Sequence, residues 1–188
     1  MHSKAAMRQI LRSSRQALGK QERERADAAI CTHLTALLAR QGATQIAAYV
    51  PEDGEPGGEL LLPTLGKLAT VWLPVIQDHS LLHWGTYAGP QSLKLGRFGI
   101  PAPEAQRDSS VLHELDLIVV PAMGARPDGT RIGRGAGFYD RALEGVSTPT
   151  VVLLYPEEVR GDIPAQPHDA AADFVLTPDG TVGGTGAV

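Results

Sequence analysis

The chain predicts an α/β fold, a largely parallel sheet covered by helices on both faces, and three observations carry that reading. Residues 4 to 40 place apolar side chains at intervals of three and four, the period of a helix with one buried face. From residue 45 onward the texture changes to short β-rich runs bounded by Pro and Gly. Several of these runs are apolar without alternation, which suits strands buried on both sides, with helices above and below the sheet.

Each element can be justified in order. Ile10, Leu11, Ala17 and Leu18, then Ala26, Ala29, Ile30, Leu34, Leu37 and Leu38, recur with Arg, Gln and Glu between them, and Gly19 divides the stretch into two helices. The strand runs are "QIAAYVP", "ATVWLPVI", "LLHWGTY", "LDLIVVPAM", "TPTVVLLYP" and "ADFVLTP". Helices are expected at "GGELLLPTLGKLA", with Pro63 in the opening turn, and at "GFYDRALEG". There is no internal repeat. The closing "TVGGTGAV" has nothing to pack, so residues 1–180 are expected to form a single domain and 181–188 a disordered tail.

Composition narrows the classes of partner. A chain of 188 residues with 43% hydrophobic content can bury one full core. Seventeen Lys and Arg against 21 Asp and Glu give a net charge of -4, which argues against a general nucleic-acid or membrane partner but leaves room for a local basic pocket. The single Cys31 excludes a disulfide framework and a multi-thiol metal site, and fits a reducing cytoplasm. No apolar run has the length of a signal peptide or a membrane span, so a soluble, non-exported protein is expected.

The most informative segment is "GTRIGRGAGFYDRAL", residues 129 to 143, which follows the most apolar strand run and leads into a helix. Ligands of open α/β sheets sit at the carboxyl ends of strands, so a site is expected here. A dinucleotide fingerprint needs glycine where Phe138 stands, and no Gly-Lys-Ser/Thr triplet follows for a P-loop. Two readings remain. The segment is a solvent-exposed glycine turn, or its backbone N–H groups, a helix start near Gly137, and Arg131 and Arg134 converge on an anion. Tyr139 and Asp140 behind the glycines favour a site, although Asp140 also suits a helix N-cap.

From Gly129 to Arg141 every position fits the pattern Gly-x-Arg-Leu/Ile-Gly-x-Gly-x-Gly-Tyr/Phe-Tyr-Asp-Arg, and the segment resembles the 5-formyltetrahydrofolate cyclo-ligase family. Lys4 with Arg8, "YVPEDGE" at 49 to 55 and "PHD" at 167 to 169 match in the same order, and "LPVI" at 73 to 76 and "GRFGIPAPE" at 96 to 104 match more weakly. The resemblance implies a three-layer α/β/α sandwich with an open, mainly parallel sheet, Rossmann-like without the dinucleotide fingerprint. It implies ATP- and Mg²⁺-dependent cyclisation of 5-formyltetrahydrofolate to the 5,10-methenyl form. ADP and phosphate are released, and the formyl oxygen is phosphorylated on the way. It assigns ATP to Lys4, Arg8, Arg131, Ile132, Gly133, Arg134, Gly135, Ala136, Gly137, Phe138 and Tyr139. Folate falls to Val50, Glu55 and residues 134 to 138, Mg²⁺ to Asp140 and Asp169, and catalysis to Arg134 and Tyr139. A cytoplasmic monomer is expected, acting on small molecules with neither nucleic acid nor membrane as partner.

Taken alone, Lys4 and Arg8 one helical turn apart read first as an exposed basic face, to which Arg12 and Arg15 also belong. His168 without a partner at ligand spacing reads as structural, and Trp72, Trp84, Tyr87 and Phe98 read as core. Pro56-Gly57-Gly58, Ala102 and Ala125-Arg126 depart from the family pattern, and the first predicts a looser loop beside Glu55. A folate- or nucleotide-binding protein without turnover, and an isomerase or acyl-transfer enzyme on a similar scaffold, are the competing readings.

Overall fold

The computed structural model describes residues 3–77, 81–166 and 169–186. Helix α1 (Lys4–Ala17) starts at Ser3, whose hydroxyl accepts from the Ala6 amide, and its inner face is Met7, Leu11 and Arg15. Gly19 separates it from α2 (Lys20–Gln41), as the sequence predicts, and Gly42 closes α2 in the left-handed conformation that a glycine adopts without a Cβ penalty. All six predicted strand runs form strands: β1 (Gln45–Ala47), β2 (Thr70–Ile76), β3 (Leu82–Thr86), β7 (Leu117–Val120), β10 (Thr150–Leu153) and β11 (Phe174–Thr177). Between them lie α3 (Leu61–Leu65), with Pro63 in its first turn, and α4 (Phe138–Ala142). The remaining strands are short: β4 (Lys94–Leu95), β5 (Pro101–Ala102), β6 (Arg107–Asp108), β8 (Gly124–Ala125), β9 (Arg131–Ile132) and β12 (Gly180–Gly183).

The main sheet runs β12-β11-β10-β7-β1-β2-β3-β6. Its interior from β11 to β2 is parallel, and antiparallel strands finish both edges. The continuous apolar runs now have their cause. In β7, Leu117 and Val119 face a core built with Ile30, Leu34 and Leu37 of α2 and Leu61 and Leu65 of α3. Ile118 and Val120 face the opposite core, with Val111 and Leu112 of the 3₁₀ turn Ser109–Glu114 and Ala142 of α4. The result is three layers, one faced by long helix and the other by short turns. A third cluster, Met7, Leu11, Met123, Ile132 and Ile163, docks α1 onto the β8–β9 hairpin.

Two expectations are corrected. The segment from 181 is not a disordered tail through its described residues: β12 pairs with β11, and Gly184 and Thr185 donate to the Pro127 and Ala172 carbonyls. Glycines need no side-chain packing to satisfy an open strand edge, so a composition with nothing to bury still orders through its backbone. Arg15 is not part of a solvated face either. It is 7% exposed, its Nε is 2.6 Å from Glu158 Oε1, and its Nη2 donates to the Ala122 carbonyl.

Candidate functional site

The parallel strands deliver three loops to one cavity of about 560 Å³ at their carboxyl ends. The first follows β1. Glu55 donates its amide to the Glu52 carbonyl across a tight turn, and its Oε2 accepts from the Glu52 amide at 3.1 Å. Pro56 is held through its carbonyl by the Tyr49 hydroxyl at 2.8 Å. The Glu55 side chain is 6% exposed and meets Arg134 Nη2 at 3.0 Å. Burial pushes the Glu55 carboxyl above the ordinary glutamate value, against the opposing pull of Arg134.

The second loop leaves β7 at Pro121 and runs through the β8–β9 hairpin into residues 133–137 and α4. Arg8 on α1 donates from Nε to the Gly133 carbonyl at 2.8 Å, so helix and loop are locked together. Gly135 and Gly137 both have positive φ, and a Cβ on Gly135 would stand 3.2 Å from the Arg8 guanidinium carbon. Arg131, its side chain largely buried, donates to the Ala170 carbonyl at 3.0 Å and to Asp140 Oδ1 at 2.7 Å. Tyr139 lies edge-on to Trp84, with ring centres 6.2 Å apart. Its hydroxyl is buried with no hydrogen-bond partner among the described residues, and burial raises its pKa, so the phenol stays neutral in a residue that lines the cavity.

The third loop precedes β11. Asp169 accepts from Lys4 Nζ at 2.6 and 2.7 Å and from the Gln166 amide at 2.7 Å. Pro167 and His168 lie outside the described residues.

Every residue assigned from the sequence lines this one cavity: Lys4, Arg8, Val50, Glu55, the run 131–140 and Asp169. The structure alters two readings of this segment. Asp140 is not an N-cap, because Gly137 holds that position and Asp140 sits in the first turn. Helix α4 has five residues, too few for a strong macrodipole, so the positive charge at the cavity comes from Lys4, Arg8, Arg131 and Arg134.

The loop at 56–58 is not loosened by its departure from the family pattern. Gly57 donates to buried Asp27 and lies against Leu61 of α3, while Gly58 lies against Asp27 itself.

Sequence reasoning missed the apolar half of the cavity. Pro74, Val75, Ile76, Leu82, Ile100 and Pro101 line it, and Phe98, expected as core, stands 71% exposed at its edge with φ of 58°. A bulky residue between Arg97 and Gly99 in a left-handed conformation is the signal that this short hairpin turn is not core.

The donor set fits a hard divalent cation. Asp140 and Asp169 offer only oxygen, and each already holds a cationic side chain, Arg131 and Lys4, as a stand-in charge. Among the described residues no three His, Cys, Asp or Glu gather into a metal cage. An ion that takes one or two carboxylates and completes its shell with water and phosphate oxygens suits such a pair.

Fold and cavity together define a class: an open α/β protein with a cation-rich glycine loop and two flanking carboxylates at the carboxyl ends of its parallel strands. Within that class, the chain belongs to the 5-formyltetrahydrofolate cyclo-ligase family, whose model matches residues 1–178. The 5-formyltetrahydrofolate cyclo-ligase of Mycolicibacterium smegmatis is 36% identical over 185 residues, 94% of either chain, and that of Haemophilus influenzae 31% over 178 residues, 90% of this chain and 95% of the other. The 5,10-methenyltetrahydrofolate synthetase of Aquifex aeolicus superposes with a TM-score of 0.82 at 28% identity, covering 95% of this chain and 91% of that one. No helix among the described residues is long and apolar enough to cross a membrane.

Proposed function

We propose that the chain converts 5-formyltetrahydrofolate to 5,10-methenyltetrahydrofolate with ATP and Mg²⁺, releasing ADP and phosphate. The observation that carries this reading is the Arg134–Glu55 contact at 3.0 Å, which brings the glycine loop and the loop after β1 to one point inside a single cavity.

A formamide carbon is a poor electrophile and its oxygen a poor leaving group. Attack of the formyl oxygen on the γ-phosphorus of ATP expels ADP and leaves a phosphorylated formyl group on N5. The N10 lone pair then attacks the formyl carbon, the carbon–oxygen bond breaks, phosphate departs and N10 loses its proton. Chemistry of this kind needs positioning and charge neutralisation more than a protein nucleophile. Lys4, Arg8 and Arg131, which share the cavity with residues 133–137, would bind the polyphosphate together with the loop amides. Arg134 reaches both substrates, and the neutral Tyr139 hydroxyl supplies a hydrogen-bond donor at the reacting end. Asp140 and Asp169 would hold Mg²⁺, which supplies charge neutralisation at the phosphates when bound. Glu55 accepts from the pterin N–H groups, and Val50 with the wall from Pro74 to Ile76 covers the apolar body of the folate. The same reading assigns the reaction to a cytoplasmic monomer, a setting that suits the buried, unpaired Cys31.

Purified protein given Mg-ATP and 5-formyltetrahydrofolate is expected to develop the near-ultraviolet absorbance of the methenyl product, and Arg134→Ala or Asp140→Ala to abolish it without loss of fold. Tight folate binding with no ATP consumption would identify a binder instead, and turnover without ATP an enzyme of another class.

A further inference from the structure

On the far side of the Glu55 loop from the cavity, α2 carries a charged residue that the reaction does not use. Asp27 is 5% exposed. Its Oδ1 accepts from the Gly57 amide at 2.8 Å and from the Tyr155 hydroxyl at 2.8 Å. Its Oδ2 lies against Gly58, where a Cβ would stand only 2.5 Å away. One helical turn earlier, the Arg23 guanidinium lies against Gly54 in the same manner, with 2.6 Å from Nη1 to an added Cβ. Arg23 spends Nη2 on the Arg15 and Leu18 carbonyls, and its charge acts on the Asp27 carboxylate through space. Glu55 thus sits between two glycine segments, each pressed against one side chain of α2.

A buried carboxylate is costly unless its oxygens are satisfied. Asp27 Oδ1 takes one donor from the loop and one from Tyr155, two residues beyond the end of β10, so it ties the loop's backbone to the sheet. We propose that Asp27 is a positioning residue for the folate end of the site, fixing the loop at Gly57 so that the Glu55 carboxylate is presented to the pterin. This role rests on the cyclo-ligase reading. It also gives Gly58 a purpose: the backbone can approach the carboxylate there only because no Cβ intervenes.

The expected effect is selective. Asp27→Ala leaves the Gly57 amide without its acceptor, and KM for 5-formyltetrahydrofolate is expected to rise about tenfold, with KM for ATP unchanged and kcat within about threefold. Asp27→Asn retains an oxygen for both donors and is expected to restore the folate KM to within about threefold of the parent. Gly58→Ala keeps every Asp27 atom but drives a methyl into Oδ2, and is expected to reproduce the folate-selective defect should the alanine variant at 27 not fold. Amide exchange of the ligand-free protein supplies a readout independent of turnover: Gly57 is protected in the parent and in Asp27→Asn, and loses protection in Asp27→Ala. Unchanged Gly57 protection, or equal rises in both KM values, overturns the proposal. Failure of the unaltered protein to turn over overturns the cyclo-ligase reading itself, which the parent assay reports before any variant is made.

Discussion

Glu55 illustrates how a single side chain acquires its chemistry from its surroundings. Its carboxyl is desolvated by the cavity wall, faces Arg134 at 3.0 Å, and feels the more distant Arg15. Desolvation dominates, so its pKa lies above the ordinary glutamate value of 4.5. The sign follows directly. As pH falls, Glu55 takes up its proton earlier than an ordinary glutamate does, and a neutral carboxyl both releases Arg134 and accepts more weakly from a pterin N–H. The Michaelis constant for the folate is therefore expected to rise on the acid side, beginning above pH 4.5, while that for ATP stays level. Glu55→Gln has nothing to titrate at that position. It is expected to show an elevated folate KM, by about 10- to 100-fold for the loss of a charge-assisted hydrogen bond, with the acid-side rise removed. An acid-side rise of equal size in the glutamine variant would assign the titration to another group.

At the scale of elements, α1 is the piece whose placement matters most, because it brings Lys4 and Arg8 from the start of the chain to the glycine loop. Besides the Lys4 and Arg8 contacts with Asp169 and the Gly133 carbonyl, it is held there by the apolar contact of Met7 and Leu11 with Met123, Ile132 and Ile163, and by the buried Arg15–Glu158 pair. Glu158, 1% exposed, also accepts from the Tyr155 amide at 3.0 Å. Removing one partner of such a pair strands the other charge, so Glu158→Ala is expected to cost about 3–5 kcal/mol in urea unfolding and to raise KM for ATP in the folded fraction. A loss under about 1 kcal/mol would show that the pair contributes little and that the remaining contacts of α1 hold it in place. The contrast between Arg15 and Arg8 shows what the sequence leaves unsaid. Helical periodicity located α1 and α2 and apolar continuity located the strands, since both patterns depend on local burial. The spacing of Lys4 and Arg8 likewise put them on one face. Arg15 shares that basic pattern, yet its partner is 143 residues away, and no local rule distinguishes a buried arginine from a solvated one. Phe98 fails in the opposite direction: its aromatic character suggests core, while a two-glycine turn holds it out at the cavity edge.

Across the whole molecule, the C-terminal segment closes the sheet and reaches back toward the site. Strand β12 pairs antiparallel on β11, which otherwise presents an open edge. Beyond it, the Gly184 amide donates to the Pro127 carbonyl at 2.9 Å, Thr185 to Ala172 at 3.2 Å and Gly186 to Asp173 at 2.8 Å. Those contacts bear on the tip of the β8–β9 hairpin, which is tied from the other side by the Ala172 amide on the Gly129 carbonyl and the bridge between Thr130 and Ala171. Arg131 begins β9 directly after that tip, and through it Asp140 and the Ala170 carbonyl are joined. Edge closure and alignment of the glycine loop are thus one mechanical unit. A chain ending at Pro178 is expected to lose more than about 3 kcal/mol of stability, because roughly 1 kcal/mol for each of the three backbone bonds beyond the strand adds to the loss of the β12 pairing itself. Faster amide exchange is expected at residues 127–131, with none at the distant loop that carries Glu55. Because the exposed β11 edge can pair with another chain, the shortened protein should also associate at high concentration, visible by light scattering. If the 127–131 amides keep their protection in the shortened chain, the hairpin is held by Gly129 and Thr130 alone and β12 serves only the sheet edge.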